Sequence, residues 1–464
     1  MCVHVGSRLL KLLAGLAASV STAGAAVQTP AGAEMPPVVR PLNAAAATRP
    51  AAAPAWLASW TASPQPVWEA DFVLPTGMPQ ALQDQTLREK VRLSLGGQRL
   101  RVVLSNRYGA QPLVIGAVRL ARAGKGAAID SVSDRVVRFG GLPGVTVAPG
   151  AQVLSDPVDL PVPALGEVVV STYLPERTPV TTFHWGAQQT ARVATGDMTA
   201  ARDLPGAASL DGRAFVAAIW VEGAADGRVV AAFGDSLTDG NGSTPGANRR
   251  WPDVLVIRLA PQGIGVVNAG ISGARVWGDR MGQNAMARFE ADVLAQPGVR
   301  VAVIALGIND IGWPDSAFAP DDPPMTATRL AAGLRQLADA ARARGVRVVG
   351  ATLPPFEGSL HGTPLSGHYS PAKDAVRHEV NRWIRESGVF DAVADFDVVL
   401  RDPSHPARLL PAYDSGDHLH PGDAGYAAMA GALDAATLFG SQTAGRPRDD
   451  DAARTAASGV WHPC

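Results

Sequence analysis

The stretch Arg228-Val229-Val230-Ala231-Ala232-Phe233-Gly234-Asp235-Ser236-Leu237-Thr238-Asp239-Gly240-Asn241 decides how this chain folds. Val229–Phe233 is an unbroken apolar run of the length of a strand buried on both faces, as in a parallel sheet. Gly234, Asp235 and Ser236 break it at its C-terminal end, the end of an open α/β sheet at which ligands bind. Read locally, Asp235-Ser236 is also an ordinary helix N-cap after a strand. The distant segment Asp417-His418-Leu419-His420-Pro421 is what separates the two readings.

Downstream, further strands are expected at Gly265–Asn268, Val299–Leu306, Val346–Ala351 and Val389–Phe396. Amphipathic helices are predicted between the last three. In Arg329–Arg344, Leu330, Leu334, Leu337 and Ala341 share one face and Gly345 is the stop. In Asp374–Ser387, Val376, Val380 and Ile384 do the same and Gly388 ends it. A final helix is expected over Asp423–Leu438. Five strands with helical crossovers predict a doubly wound parallel sheet with helices on both faces.

Upstream of a Gly/Ala/Asp connector at Glu222–Arg228, the pattern changes to period two. Val91, Leu93 and Leu95 alternate with polar residues, Gly96-Gly97 follows, and Leu100, Val102 and Leu104 alternate again; this reads as a hairpin. Short strands are expected at Leu113–Leu120, Arg135–Phe139, Val145–Val147, Glu167–Tyr173 and Ala214–Val221, giving an all-β sandwich or jelly roll. Trp56, Trp60, Trp68 and Trp185 read as packing residues rather than a sugar-binding face, and His184 reads as structural.

The 464 residues are 47% hydrophobic and 18% charged, with a formal charge of −1. That material fills two cores, and the charge balance gives no basis for binding nucleic acid or an anionic membrane. Arg8 and Lys11, the apolar run Leu12–Val20 and Ala23-Gly24-Ala25-Ala26 have the form of a secretory signal peptide, which predicts a secreted or periplasmic protein without a stable membrane span. The expected organisation is a signal peptide over 1–26, a disordered Ala/Pro/Thr linker over 27–55, the β-rich domain over 56–222, the α/β domain over 223–440 and a polar tail over 441–464. The two cysteines, Cys2 and Cys464, leave the fold to rest on core packing.

The chemistry is expected just after strand ends: Gly234-Asp235-Ser236, Asn268–Gly273, Gly307-Ile308-Asn309-Asp310 and Asp417–Pro421. Each alone has a bland reading as a turn or cap. Together they hold a full set of acyl-transfer groups. Serine is a weak nucleophile until a base takes its proton. His420 can accept it, and Asp417 can hold the other ring nitrogen in the right tautomer. The backbone N–H groups of Ser236 and Gly273 and the side-chain amide of Asn309 are donors for an oxyanion. No metal-ligand spacing and no cofactor motif occurs. The other candidate bases are His361, His368, His378, His405 and His418; the loop Pro354–Pro371, which carries the first two, either borders the pocket or is a plain surface loop, the second being the better reading.

This pattern resembles the SGNH hydrolases, also called the GDSL esterase/lipase family. Gly234-Asp235-Ser236-Leu237, Gly273, Gly307-x-Asn309-Asp310 and Asp417-x-x-His420 match its four blocks in order across nearly all of the second half. The resemblance implies a flavodoxin-like five-stranded sheet, Ser236 as nucleophile, Asp417 and His420 as its partners, and an oxyanion hole from Ser236, Gly273 and Asn309. It also implies hydrolysis of short-chain acyl or O-acetyl esters, with a small-molecule or glycan ester as substrate. Gln85-Thr86-Leu87-Arg88 and Leu104-Ser105-Asn106 are similar to a region that precedes the hydrolase domain in some bacterial two-domain members. An acyltransferase would use the same groups with another acceptor, and a binding protein on a vestigial hydrolase fold would have lost one of them. An α/β-hydrolase would need Gly-x-Ser-x-Gly, which does not occur.

Overall fold

The apolar run Val229–Phe233 forms an inner strand of a parallel sheet in the computed structural model, which describes residues 54–68 and 72–440. The sheet order is Ile264–Gly270, Arg228–Gly234, Val299–Ala305, Arg347–Ala351 and Ala392–Ala394, every pair parallel. This is the expected five-stranded doubly wound arrangement. Successive side chains of Arg228–Gly234 point to opposite faces. Val230 and Ala232 join a core with Trp251, Leu255, Tyr426 and Met429. Val229, Ala231 and Phe233 join the other core, with Phe289, Leu334 and Leu337. Each large side chain so enclosed contributes about 1.5–3 kcal/mol, which is why the strand shows no polar alternation.

The predicted helices form at Ala327–Ala343 and Pro371–Glu386, opened by Thr326 and Ser370, whose hydroxyls accept from Arg329 and Lys373 N–H. The last expected helix is instead two, Asp423–Gly431 and Ala435–Phe439. Asp434 interrupts it by capping the second piece, its carboxylate accepting from the Thr437 backbone and hydroxyl. Among the described residues no helix is long and apolar enough to cross a membrane.

The β-rich half is built from antiparallel sheets. One orders Ala208–Leu210, Ala191–Thr195, Gln85–Arg92, Glu167–Leu174, Ala117–Arg122 and Arg135–Val136. A second places Val216–Gly223 between Ala55–Thr61 and Gly97–Ser105, with Gln152–Leu154 and Val158–Val162 on the far side of Gly97–Ser105, and among the described residues three smaller sheets complete the half. The expected hairpin around Gly96-Gly97 does not form. Gln85–Arg92 and Gly97–Ser105 lie in different sheets, and the chain crosses from one to the other between them. Alternation reports that a face is buried, not which strand pairs with it. Gly96 suits the crossing because a Cβ there would come 2.5 Å from the backbone at Val162 and Ala164.

The connector at Glu222–Arg228 separates the last strand of this half from the first of the parallel sheet. Both halves lie in one compact unit, and one apolar cluster runs through both. Ala55–Thr61 reaches the parallel sheet directly: the Ala58 N–H donates to Pro297 O, and the Thr61 hydroxyl to Asn268 O. The signal peptide, the linker up to residue 53 and the polar tail from 441 fall outside the described residues.

Candidate active site

Ser236 opens the short helix Ser236–Asp239 directly after the strand Arg228–Gly234. The turn is tight: a Cβ at Gly234 would lie 2.9 Å from Ala305 O and overlap the Thr238 hydroxyl. The Asp235 carboxylate accepts from Leu237 N–H at 3.0 Å. Below the turn, buried Arg288 donates to Gly234 O (2.9 Å) and Ala269 O (2.8 Å), tying two strand ends together, and stacks on Phe233. Asp292 neutralises Arg288 and also receives Arg107 of the β-rich half at 3.0 Å.

His420 lies on the loop before Asp423–Gly431. Its Nε2 is 2.8 Å from Ser236 Oγ, and its Nδ1 is 2.5 Å from Asp417 Oδ2. The other Asp417 oxygen accepts from the N–H groups of His420 (2.8 Å) and Leu419 (3.0 Å). Burial pushes the Asp417 carboxyl up, but these bonds from His420 and Leu419 outweigh it and hold it well below the usual carboxylate range. An ionised Asp417 only accepts, so Nδ1 carries the proton and Nε2 presents a lone pair to the serine hydroxyl. Among the described residues, His361, His378, His405 and His418 are exposed, and Ser236 Oγ meets His420.

Gly273 adopts φ +74°, in a loop where a Cβ would come 2.8 Å from Trp313. Asn309 is buried in the helix Ile308–Gly312, whose cap is Gly307 without a side-chain bond. Asn309 and Asp310 are therefore not caps. The Asn309 amide donates to Ala274 O at 3.1 Å, and Asp310 accepts from Val276 and Trp277 N–H. Both residues hold the Gly273 loop.

A model of the GDSL-like lipase/acylhydrolase family matches residues 232–428. Residues 232–428 are a GDSL-like hydrolase domain. The chain is a carboxylic ester hydrolase. Among solved structures, it is similar to a catalytic mutant of an acetylxylan esterase from Geobacillus stearothermophilus (26% identity, 44% of this chain and 92% of that one, TM-score 0.33). It is also similar to a carbohydrate acetylesterase family member from Sinorhizobium meliloti (18% identity, 44% and 95%, TM-score 0.34). A third is a GDSL-like lipase from Bacteroides thetaiotaomicron (17% identity, 44% and 85%, TM-score 0.32). No curated protein matches the chain.

In the GDSL-like domain, Ser236, Gly273, Asn309 and His420 face one cavity of about 210 Å³. Its remaining wall is largely apolar and comes from places the sequence did not single out. Leu74 and Trp185 reach in from the β-rich half, so Trp185 borders the site while also packing against the core beside Trp68. The loop Pro354–Pro371 supplies Leu360, Thr363, Pro364 and Leu365. Its exposed residues 361–364 fit a surface loop, but Leu360 N–H is bonded to Asp417 O and His368 is fully buried. Its Gly/Pro/Ser content hid two leucines that face inward. Burial, with help from Lys373, pushes the His368 imidazole down to about 3, so it is a neutral packing group against Phe356. Among the described residues, no group of three or more His, Cys, Asp or Glu side chains is placed to hold a metal ion.

Asp235 is enclosed, and burial pushes its carboxyl up to about 7, with one oxygen lacking a partner. Its folded value lies above the unfolded one, near 3.9. The stability it contributes is therefore fully present below about pH 4 and lost as pH rises through about 7. Asp235→Asn cannot ionise, so its melting temperature is expected to change less between pH 5 and 8 than the parent's. The shift corresponds to a few kcal/mol, on the order of 1.4 per unit. Thermal melts of both proteins across that range check it; equal slopes would contradict the assignment.

Proposed function

We propose that the enzyme is a serine esterase acting on short-chain acyl or O-acetyl esters through Ser236, His420 and Asp417. The observation that carries this reading is the unbroken line from Asp417 Oδ2 through the His420 ring to Ser236 Oγ, at 2.5 and 2.8 Å, ending at a cavity. His420 Nε2 takes the serine proton as Oγ attacks the ester carbonyl carbon. The N–H groups of Ser236 and Gly273 and the Asn309 amide receive the oxyanion. His420 then returns the proton to the departing alkoxide, leaving an acyl-serine. Water, deprotonated by the same ring, releases the acid and restores Ser236. Asp417 stays ionised throughout and stabilises the imidazolium. Export is part of the proposal, on the Arg8–Ala26 pattern.

The small volume and apolar wall of the cavity favour a short acyl group. A series of p-nitrophenyl esters from acetate to laurate, run beside acetylated glycans, tests the substrate class. kcat/KM is expected to be highest on the short esters and to fall toward laurate. Preference for laurate would reassign the enzyme to long-chain lipids, and no turnover of any ester would overturn the reading.

A further inference from the structure

We propose that His184, a residue of the β-rich half, is a positioning residue of the esterase site. It acts through Asp239 on the Ser272–Gly273 backbone that carries an oxyanion donor. The inference rests on the serine-esterase reading above.

His184 is buried, with Nδ1 3.0 Å from Ser63 O and Nε2 3.0 Å from Asp239 Oδ1. A carbonyl only accepts, so Nδ1 carries a proton. The Nε2–Asp239 bond then needs a proton of its own, on the ring or on the carboxyl. The pair is therefore a hydrogen-bonded link shielded from water, where it is stronger than the same bond at the surface. The second Asp239 oxygen accepts from both the Ser272 backbone N–H (3.0 Å) and the Ser272 hydroxyl (2.7 Å).

Asp239 thus joins three parts. It ends the helix that Ser236 begins, it grips the residue before Gly273, and it is itself gripped by the other half of the chain. Arg250 and Arg288 lie close enough to act on its charge. A separate observation shows how closely the β-rich segment is applied. A Cβ at Gly186 would overlap the Asp239 carboxylate and come 2.7 Å from Ser272 Oγ, so only glycine fits there. Between His184 and Gly186, Trp185 is anchored by its N–H to Gln65 Oε1 and borders the cavity.

An oxyanion donor acts on charge that exists only in the transition state. Loosening Gly273 should therefore lower kcat and leave KM nearly unchanged. The test uses the full chain with a p-nitrophenyl ester. kcat is normalised to the serine titrated by a phosphonate, so that unfolded protein does not count. His184→Leu keeps bulk but removes the donor, and kcat is expected to fall about 10- to 100-fold, as for a small misplacement of a catalytic group. His184→Gln offers an amide near the position of Nε2 and is expected to recover most of that loss. Gly186→Ala, which pushes on Asp239 while leaving His184 intact, should lower kcat in the same way if His184→Leu does not fold. Unchanged kcat per titrated serine in the folded variants would overturn the proposal. Failure of the phosphonate to label Ser236 in the parent would instead overturn the esterase reading on which it rests.

Discussion

Ser236→Ala is expected to remove esterase turnover, lowering kcat by roughly 10⁶-fold, the scale seen when a triad serine is deleted. The expectation follows from how little else could replace Oγ. It is the atom His420 Nε2 faces at 2.8 Å, at the helix start exposed to the cavity. The substitution removes one small polar atom, so the melting temperature should stay close to the parent's. Steady-state kinetics on a short ester, beside a thermal melt, make the measurement. A folded Ser236→Ala protein that keeps full activity would mean that another group attacks the ester, and the whole assignment would fall with it.

The next largest effect is expected at Asn309. Its amide has two N–H bonds; one is spent on Ala274 O, and the residue borders the cavity. If the second N–H receives the oxyanion, Asn309→Ala loses about 2.7–4 kcal/mol of transition-state stabilisation, or roughly 10²–10³ in kcat, with little change in KM. Losing the bond to Ala274 alone would cost about 0.5–1.5 kcal/mol of stability. The two contributions separate cleanly when kcat, KM and melting temperature are measured together. A lower melting temperature with kcat intact would make Asn309 a loop anchor and leave the oxyanion to the backbone N–H groups of Ser236 and Gly273.

The parallel sheet was legible because its inner strands, buried on both faces, carry plain apolar runs such as Val229–Phe233 and residues 301–305. The Ser236, Gly273, Asn309 and His420 segments were legible for a related reason. Each follows a strand or loop end in an ordered series of short blocks. What escaped was everything set by distant pairing. Alternation in Val91–Leu95 and Leu100–Leu104 gave two buried faces but not the two different sheets. Leu74, Trp185 and the leucines of the Pro354–Pro371 loop have no periodic signature, and only the folded chain brings them to the cavity. His184 read as structural because its partner Asp239 lies in the other half and no local spacing links them.

The pairing of Ala55–Thr61 with Val216–Gly223 also constrains the order in which the molecule can be assembled. Ala55 lies opposite Gly223, so the earliest strand of the β-rich half closes against its last one. As the chain leaves the ribosome, that early strand must wait, with its hydrogen-bonding edge open, until almost the entire β-rich half has been made. Contacts so remote in sequence form slowly, because the intervening loop must be closed before any contact repays it. When the edge is finally covered, the next residues to emerge are Arg228–Gly234, the first strand of the parallel sheet in chain order. Vectorial synthesis therefore delivers the first strand of the hydrolase domain just after the β-rich surface beside it has been made.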